Sequence, residues 1–276
     1  LYGYRYFDNI RERKLAAWFR WTLTGTIQYH CMQDDNLYVV VRNNSKDQLL
    51  KYAIKMDSNT LSLAENRVHL DHLIEIPKLT SGNPTVTYNA TTNKSTFAKP
   101  TGLESSNQLV AYDNSNESSG TQNLGRYGKI TINGSNLELD GNWTGEAFLI
   151  GYQFTMQVDL PTIYYVTKEG ENFRADTRSS LVLHRAKFGF GPIGLYETTL
   201  SRTGRVDYTE LHELTGADRY KANNASILED NILREVPIYD RNINVALTVK
   251  STHPAPAPIH NLTWEGAYNT KFYQRV

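Results

Sequence analysis

Three groups of residues in this 276-residue chain have types and spacings that could do chemistry. His69-Leu70-Asp71-His72, with Glu75 beyond, offers the nitrogen and oxygen donors that hold zinc or iron. A metal needs three such side chains converging on one point. In a strand, His69 and Asp71 share a face while His72 points the other way, so no metal site is expected. Gly189-Phe190-Gly191-Pro192-Ile193-Gly194 matches the G-x-G-x-x-G pattern, whose last glycines open a helix toward a pyrophosphate. Here Leu195-Tyr196-Glu197-Thr198-Thr199-Leu200 follows and favours a strand, with no βαβ pattern around it, so a glycine-rich hairpin turn is expected instead. Cys31 is a nucleophile only with a base nearby, and its neighbour His30 lies on the opposite face of a strand. The expectation is a buried, inert thiol. Paired carboxylates could hydrolyse a glycoside, but the separation that decides this is spatial. The sequons Asn89-Ala90-Thr91 and Asn142-Trp143-Thr144 arise readily in an Asn- and Thr-rich chain, and with no signal peptide read at Leu1 they are expected to carry no glycan. No catalytic, cofactor-binding or metal-binding residue is expected.

Composition narrows the classes further. The 29 Lys+Arg balance 29 Asp+Glu, which argues against a free-standing nucleic-acid binder with its basic stripe. A single cysteine excludes a disulfide framework and a cysteine-built zinc site. No apolar run approaches the roughly 20 residues of a membrane span, so no stable membrane insertion is expected. Hydrophobic residues make up 39% of the chain, and the 4 Trp and 18 Tyr can anchor either a core between sheets or an interface between subunits.

The elements that would position these residues read as β-structure. Thr26 to Met32 alternates, placing Ile27, Tyr29 and Cys31 on one face. Leu37 to Val41 is an apolar run typical of a strand buried on both faces, and Leu50, Tyr52, Ile54 and Met56 line one face of a third strand. Turn clusters at Asp34-Asp35-Asn36 and Asn43-Asn44-Ser45 join them into an antiparallel meander. Local propensity mildly favours a helix over Arg11 to Trp21. Between about residues 80 and 146 the composition shifts to Asn, Ser, Thr and Gly, suggesting a small inserted β-subdomain in which Asn133-Gly134 marks a hairpin. Tyr152, Phe154, Met156, Val158 and Leu160 alternate as one half-buried strand. Leu181–Phe190 and Gly194–Leu200 suggest a hairpin, Asp207–Leu214 and Ser226–Arg234 could hold helical turns, and Ile243, Val245, Leu247 and Val249 alternate. After the stiff His253–Pro258 connector, Ile259 to Val276 is expected to be an ordered part of the second β-domain, with Trp264 buried and Gly266 permitting a bend.

Two stretches carry a family resemblance. They are Glu12-Arg13-Lys14-Leu15-Ala16-Ala17-Trp18-Phe19-Arg20-Trp21, followed by Asp35-Asn36-Leu37-Tyr38-Val39-Val40-Val41-Arg42, and the ending Asn261-Leu262-Thr263-Trp264-Glu265-Gly266-Ala267-Tyr268. Between them, Val68-His69-Leu70-Asp71-His72 and Gly151-Tyr152-Gln153-Phe154-Thr155-Met156 fall in order. This pattern resembles the C-terminal part of tail tubular protein B, the nozzle protein of short-tailed bacteriophages. The resemblance, which covers residues 1–80 and 147–276, implies a mostly β chain in which residues 1–61 would end a β-propeller and residues 147–276 would be a sandwich-like platform domain. Residues 62–146, a linker plus the inserted subdomain read from composition, complete a three-part division. It further implies a hexameric ring in the virion tail, assembled in the host cytoplasm, below the adaptor (tail tubular protein A) and touching tail fibres. Phage DNA would pass through without sequence-specific binding, and the subunit would be no enzyme. Trp18, Trp21, Trp264, Glu265, Gly266 and Tyr268 would be structural anchors, and Arg11 to Trp21 would be turn plus strand. The alternative reading is a carbohydrate-binding or polysaccharide-degrading tail protein.

Overall fold

A computed structural model of the chain describes residues 1–9, 12–54, 68–76, 85–103, 107–112, 126–144, 147–153, 155–169, 172–177, 179–191, 194–212, 232–254 and 257–270. The described residues are nearly all β, and the chain divides into two units.

The first unit takes in residues 1–63, 70–111 and 128–152. Strands β1 (Tyr2–Asn9) and β2 (Glu12–Arg20) form an antiparallel ribbon, with Tyr2 opposite Arg20 and Tyr4 opposite Trp18. The helix favoured by local propensity is absent and the strand expectation holds. Ladder pairing outweighs a preference worth only tenths of a kcal/mol per residue. The Leu1 amino group donates to the Trp21 carbonyl at 2.9 Å and the Trp21 N–H returns to Leu1 O at 2.8 Å, closing the ribbon's base. The ribbon is a sheet of its own and does not lead into the next strand's ladder.

β3 (Thr26–Gln33), β4 (Asn36–Asn43) and β5 (Lys46–Ala53) form the expected meander, turning through left-handed residues Asp34, Asn44 and Ser45. Two details differ from the sequence pattern. A bulge at Gln28 flips the register, so Ile27 shares a face with His30 and Met32, while Tyr29 and Cys31 take the other. The described residues cover one face of β4: Leu37, Val39 and Val41 are buried with Trp21, Leu23, Ile27, Leu50 and Tyr52 around them, whereas Tyr38 and Val40 are half-exposed.

The Asn/Ser/Thr-rich stretch builds a cored sheet. β6 (Asp71–Ile76), β7 (Thr87–Asn89), β8 (Lys94–Ala98), β9 (Leu109–Tyr112), β10 (Tyr127–Asn133), β11 (Asn136–Asp140) and β12 (Phe148–Tyr152) lie in the order β6-β12-β9-β10-β11-β8-β7. Its interior holds Phe97, Leu109, Leu137, Leu139, Trp143 and Phe148. The Asn133-Gly134 signal is correct: Asn133 pairs with Asn136, and Gly134 at φ +59° opens the turn between β10 and β11.

The second unit takes in residues 64–69, 112–127 and 153–276. The alternation from Tyr152 to Leu160 is not one strand. β12 ends in the seven-stranded sheet and β13 (Met156–Asp159) starts another, because alternating polarity cannot tell a strand from two strands in line. β14 (Val166–Glu169) and β15 (Asn172–Ala175) form a hairpin. β16 (Ser180–Phe190) and β17 (Tyr196–Arg202) do not form the expected hairpin; they belong to different sheets. β18 (Tyr208–His212) is a strand where helical turns were expected; of the stretch Ser226–Arg234, residues 226–231 lie outside the described residues and 232–234 open strand β19 (Ile232–Arg241), and a 3-10 turn (Asn242–Asn244) carrying exposed Ile243 precedes β20 (Val245–Ser251). β21 (Ile259–Asn269) falls within the C-terminal stretch expected to be ordered. The sheets run β13-β20-β17-β18 and β19-β16-β21, and both feed one core: Leu181, Leu183, Phe188 and Phe190 from the second, Tyr196, Leu200, Leu247 and Val249 from the first.

β21 is tied down along its length, pairing with β16 from Ile259 to Asn269; residues 271–276 lie outside the described residues. Gly266 serves close approach rather than a bend. A Cβ there would collide with the Val182 carbonyl oxygen, beside the bulge at His184. Gly266→Ala is therefore expected to lower stability by about 1–3 kcal/mol, the usual range for overpacking, read as a drop in thermal midpoint. An unchanged midpoint would show that the two strands can separate there without cost.

Candidate functional site

Four of the six residues singled out in sequence lie together on β21. Trp264 stands opposite Ala186 and packs against the core between the two sheets, with Leu262 opposite Phe188. Glu265 faces the other way. It pairs with Arg185 at 3.0 Å and with Lys187 on β16, and Glu235 of β19 meets the same two cations at 3.0 and 3.3 Å. The result is a neutral lattice across three strands, two cations in the middle strand and an anion on each side. It holds both Glu carboxyls below and both cations above their usual ranges, chiefly through the hydrogen bonds between them. These side chains are solvated, so each pair adds little to stability. The Tyr268 hydroxyl donates to Asp176 Oδ2 at 2.6 Å, and its ring stacks on Tyr165 at 4.2 Å. Sequence could not foresee Asp176 and Tyr165 as its partners, since they lie 92 and 103 residues upstream.

The remaining two residues sit on or beside β2. Trp21 is half-buried against the meander core, 6.1 Å from Tyr52. Trp18 is 73% exposed, paired with the Tyr4 ring at 4.8 Å.

The chemical candidates disperse. Asp71 and His72 occupy the start of β6, where His72 adopts φ +52° and sets its ring edge-on to Tyr152 at 5.1 Å. No three metal-ligating side chains gather among the described residues. Burial pushes the Asp71 carboxyl up to about 6, and Tyr52 is raised by burial and, secondarily, by the Asp71 charge. The glycine motif spans the end of β16. A Cβ on Gly189 would collide with Asn261 and one on Gly191 with His260, so these glycines admit β21 and its approach rather than a phosphate. Cys31 is exposed, correcting the expected burial; it lies on the face of the meander that carries Tyr29, Val40 and Leu49, at a stretch of β3 exposed on both faces.

One constellation escaped sequence reasoning. Thr198 Oγ1 lies 2.9 Å from His212 Nε2, and Glu210 lies 4.0 Å from Nδ1, the order of hydroxyl, imidazole and carboxylate seen in nucleophilic sites. Thr198 and His212 are both buried, and the His212 ring stacks on Tyr196 at 4.6 Å. Burial lowers the imidazole pKa, so it is neutral at pH 7 and shares a core hydrogen bond with Thr198. The partners sit directly across a strand pair or diagonally from one another, which only the register reveals. The hollow lined by Leu160, Ile163, Leu183 and Leu247 has room for about one water molecule.

A protein-family model described as bacteriophage nozzle protein matches residues 1–275. No curated protein matches the chain.

Two buried groups set opposite responses to acid. His253, packed between Tyr112 and Tyr127, is lowered by burial to about 4, against about 6.5 when unfolded. The unfolded chain therefore takes up the proton first. The contribution is intact above pH 6.5 and is lost as pH falls toward 4, by about 3 kcal/mol in all. Asp71 is raised in the folded state, so acidification from about pH 6 to 4 stabilises its unit. Melting at pH 7 and pH 4.5 should show His253→Phe abolishing the acid loss in the second unit and Asp71→Asn abolishing the acid gain in the first. Unchanged profiles would mean that neither group titrates differently on folding.

Proposed function

This chain belongs to the bacteriophage nozzle protein family, structural components of the phage tail, and on that premise we propose that it is a subunit of the ring that encloses the DNA-ejection channel below the tail adaptor. The family match over residues 1–275 carries this reading. Such a family has a structural rather than an enzymatic role, and membership does not favour a polysaccharide-degrading activity.

The chemistry of the chain is compatible with a conduit. Its formal net charge is zero, and the cations at the centre of the β19-β16-β21 sheet are each matched by a glutamate. Each phosphate contact by a free Lys or Arg adds salt-dependent affinity, which would hold DNA that has to slide. In the proposed assembly the ring has six copies, Trp18 is an intersubunit anchor, and Trp21, Trp264, Glu265, Gly266 and Tyr268 hold the strands that carry the contacts.

Electron microscopy and native mass measurement of the full polypeptide, alone and with its adaptor, test the reading. The expected result is a six-membered ring that caps the adaptor and binds duplex DNA weakly at physiological salt. A stable monomer that does not join the adaptor would sink it.

A further inference from the structure

Among the described residues, two apolar faces of the first unit are left exposed, and they differ in kind. On the ribbon, Tyr2 and Tyr4 stand opposite Arg20 and Trp18 on one face, with Tyr2 76% and Trp18 73% exposed. The opposite face sends Phe19 across Gly3 and toward Trp21, 5.2 Å away. On the meander, the ladder aligns Tyr29, Val40 and Leu49 in one cross-strand row, with Tyr29 64% and Leu49 69% exposed. The row Cys31–Tyr38–Lys51 lies on one side and the row Thr26–Arg42–Asp47 on the other.

We propose that the aromatic face of the β1–β2 ribbon of one copy covers the Tyr29–Val40–Leu49 row of the next copy. The proposal rests on the ring reading above and adds the surface that builds the ring. Three observations support a second copy as the occupant. First, β4 is apolar at five consecutive positions, the composition of a strand covered on both faces, yet the described residues cover one. Second, the charges match in order. On the ribbon a cation, Arg20, stands one row from the Tyr4–Trp18 pair; on the meander the acidic residue Asp47 stands one row from Leu49. Rows two residues apart along a strand are about 6.6 Å apart on either surface, so Arg20 reaches Asp47 when the aromatic pair lies on Leu49 and Tyr29. Asp47 already takes Arg42 in a bidentate pair and has lone-pair sites left for a second guanidinium. Third, the exposed parts of three aromatics against Tyr29, Leu49 and their neighbours bury several hundred Å² in total, roughly the small-interface range, a contact that a ring repeats at each junction. Because the two faces are unlike, the contact is heterologous, and repeated contacts of that kind form a ring when their rotation closes.

Cys31, one row from Tyr29 on the same face, is a native probe. In the assembled full-length protein, iodoacetamide should alkylate it at least tenfold more slowly than in dissociated chains. Trp18→Glu and Leu49→Glu should each raise the dissociation concentration at least tenfold by sedimentation, with unchanged circular dichroism. Arg20→Glu should weaken assembly, and adding Asp47→Arg should restore it, a rescue that loss of folding cannot mimic. Equal alkylation in both states, or glutamate variants that assemble as wild type, overturns the proposed surface and leaves the nozzle reading standing. Protection of Cys31 in dissociated chains also overturns it, since the cover then comes from within the chain. A chain that is missing from the virion tail and stays monomeric overturns both.

Discussion

The second unit depends on the pairing of β16 with β21. β16 is paired on both sides, and its side chains divide strictly between a core and a solvated face. Inward, Leu181, Leu183, Ala186, Phe188 and Phe190 meet the residues of the facing sheet; outward, Arg185 and Lys187 meet Glu235 and Glu265. A bulge at His184 keeps both halves of the strand in phase with the core by absorbing one extra residue. Gly266 lets β21 stay close at that bulge, and Gly189 and Gly191 make room for Asn261 and His260. The glycines that mimic a nucleotide fingerprint are thus explained by strand packing, as are the conspicuous residues of the C-terminal ending.

Buried polar groups in this chain mostly serve the fold. The Thr198–His212 contact lies inside the second unit, and Ser95 takes the Trp143 N–H while donating to Gly141 O at 2.7 Å in the first. A hydroxyl next to an imidazole becomes a nucleophile only where substrate can reach it, and Thr198 is closed off by its own sheet. What this surface offers instead is contact area and matched charge, the properties of a part built to be assembled.

Both units combine an enclosed apolar core with exposed apolar side chains, and in the first unit some of these gather on one face of the ribbon and one face of the meander. A two-stranded ribbon is marginally stable in water by itself, and here its base is clamped by the Leu1–Trp21 pair and by Trp21 packing toward the meander core. For a tail component, an incomplete surface on each copy is a physical route to association, since covering it removes apolar area from water.

Local pattern by itself determined the β class, the meander from Thr26 to Ala53, the Asn133-Gly134 turn and the ordered C-terminal strand. Each follows from alternation, turn chemistry or a stiff proline connector, which act over a few residues. The paired motifs around Trp18 and Trp264 also sufficed to identify the family. Tertiary structure alone decided that Tyr152 to Leu160 spans two sheets, that β16 and β17 face different neighbours, and that Cys31 points outward. All three turn on register and sheet membership. A single bulge reverses every side chain beyond it, and a strand's period is the same whichever sheet it joins. Partners such as Tyr268 and Asp176, or Glu235 and Arg185, are chosen by pairing across 50 to 90 residues. Composition carries no record of which residues the fold brings opposite one another, so those contacts exist only once the sheets have formed.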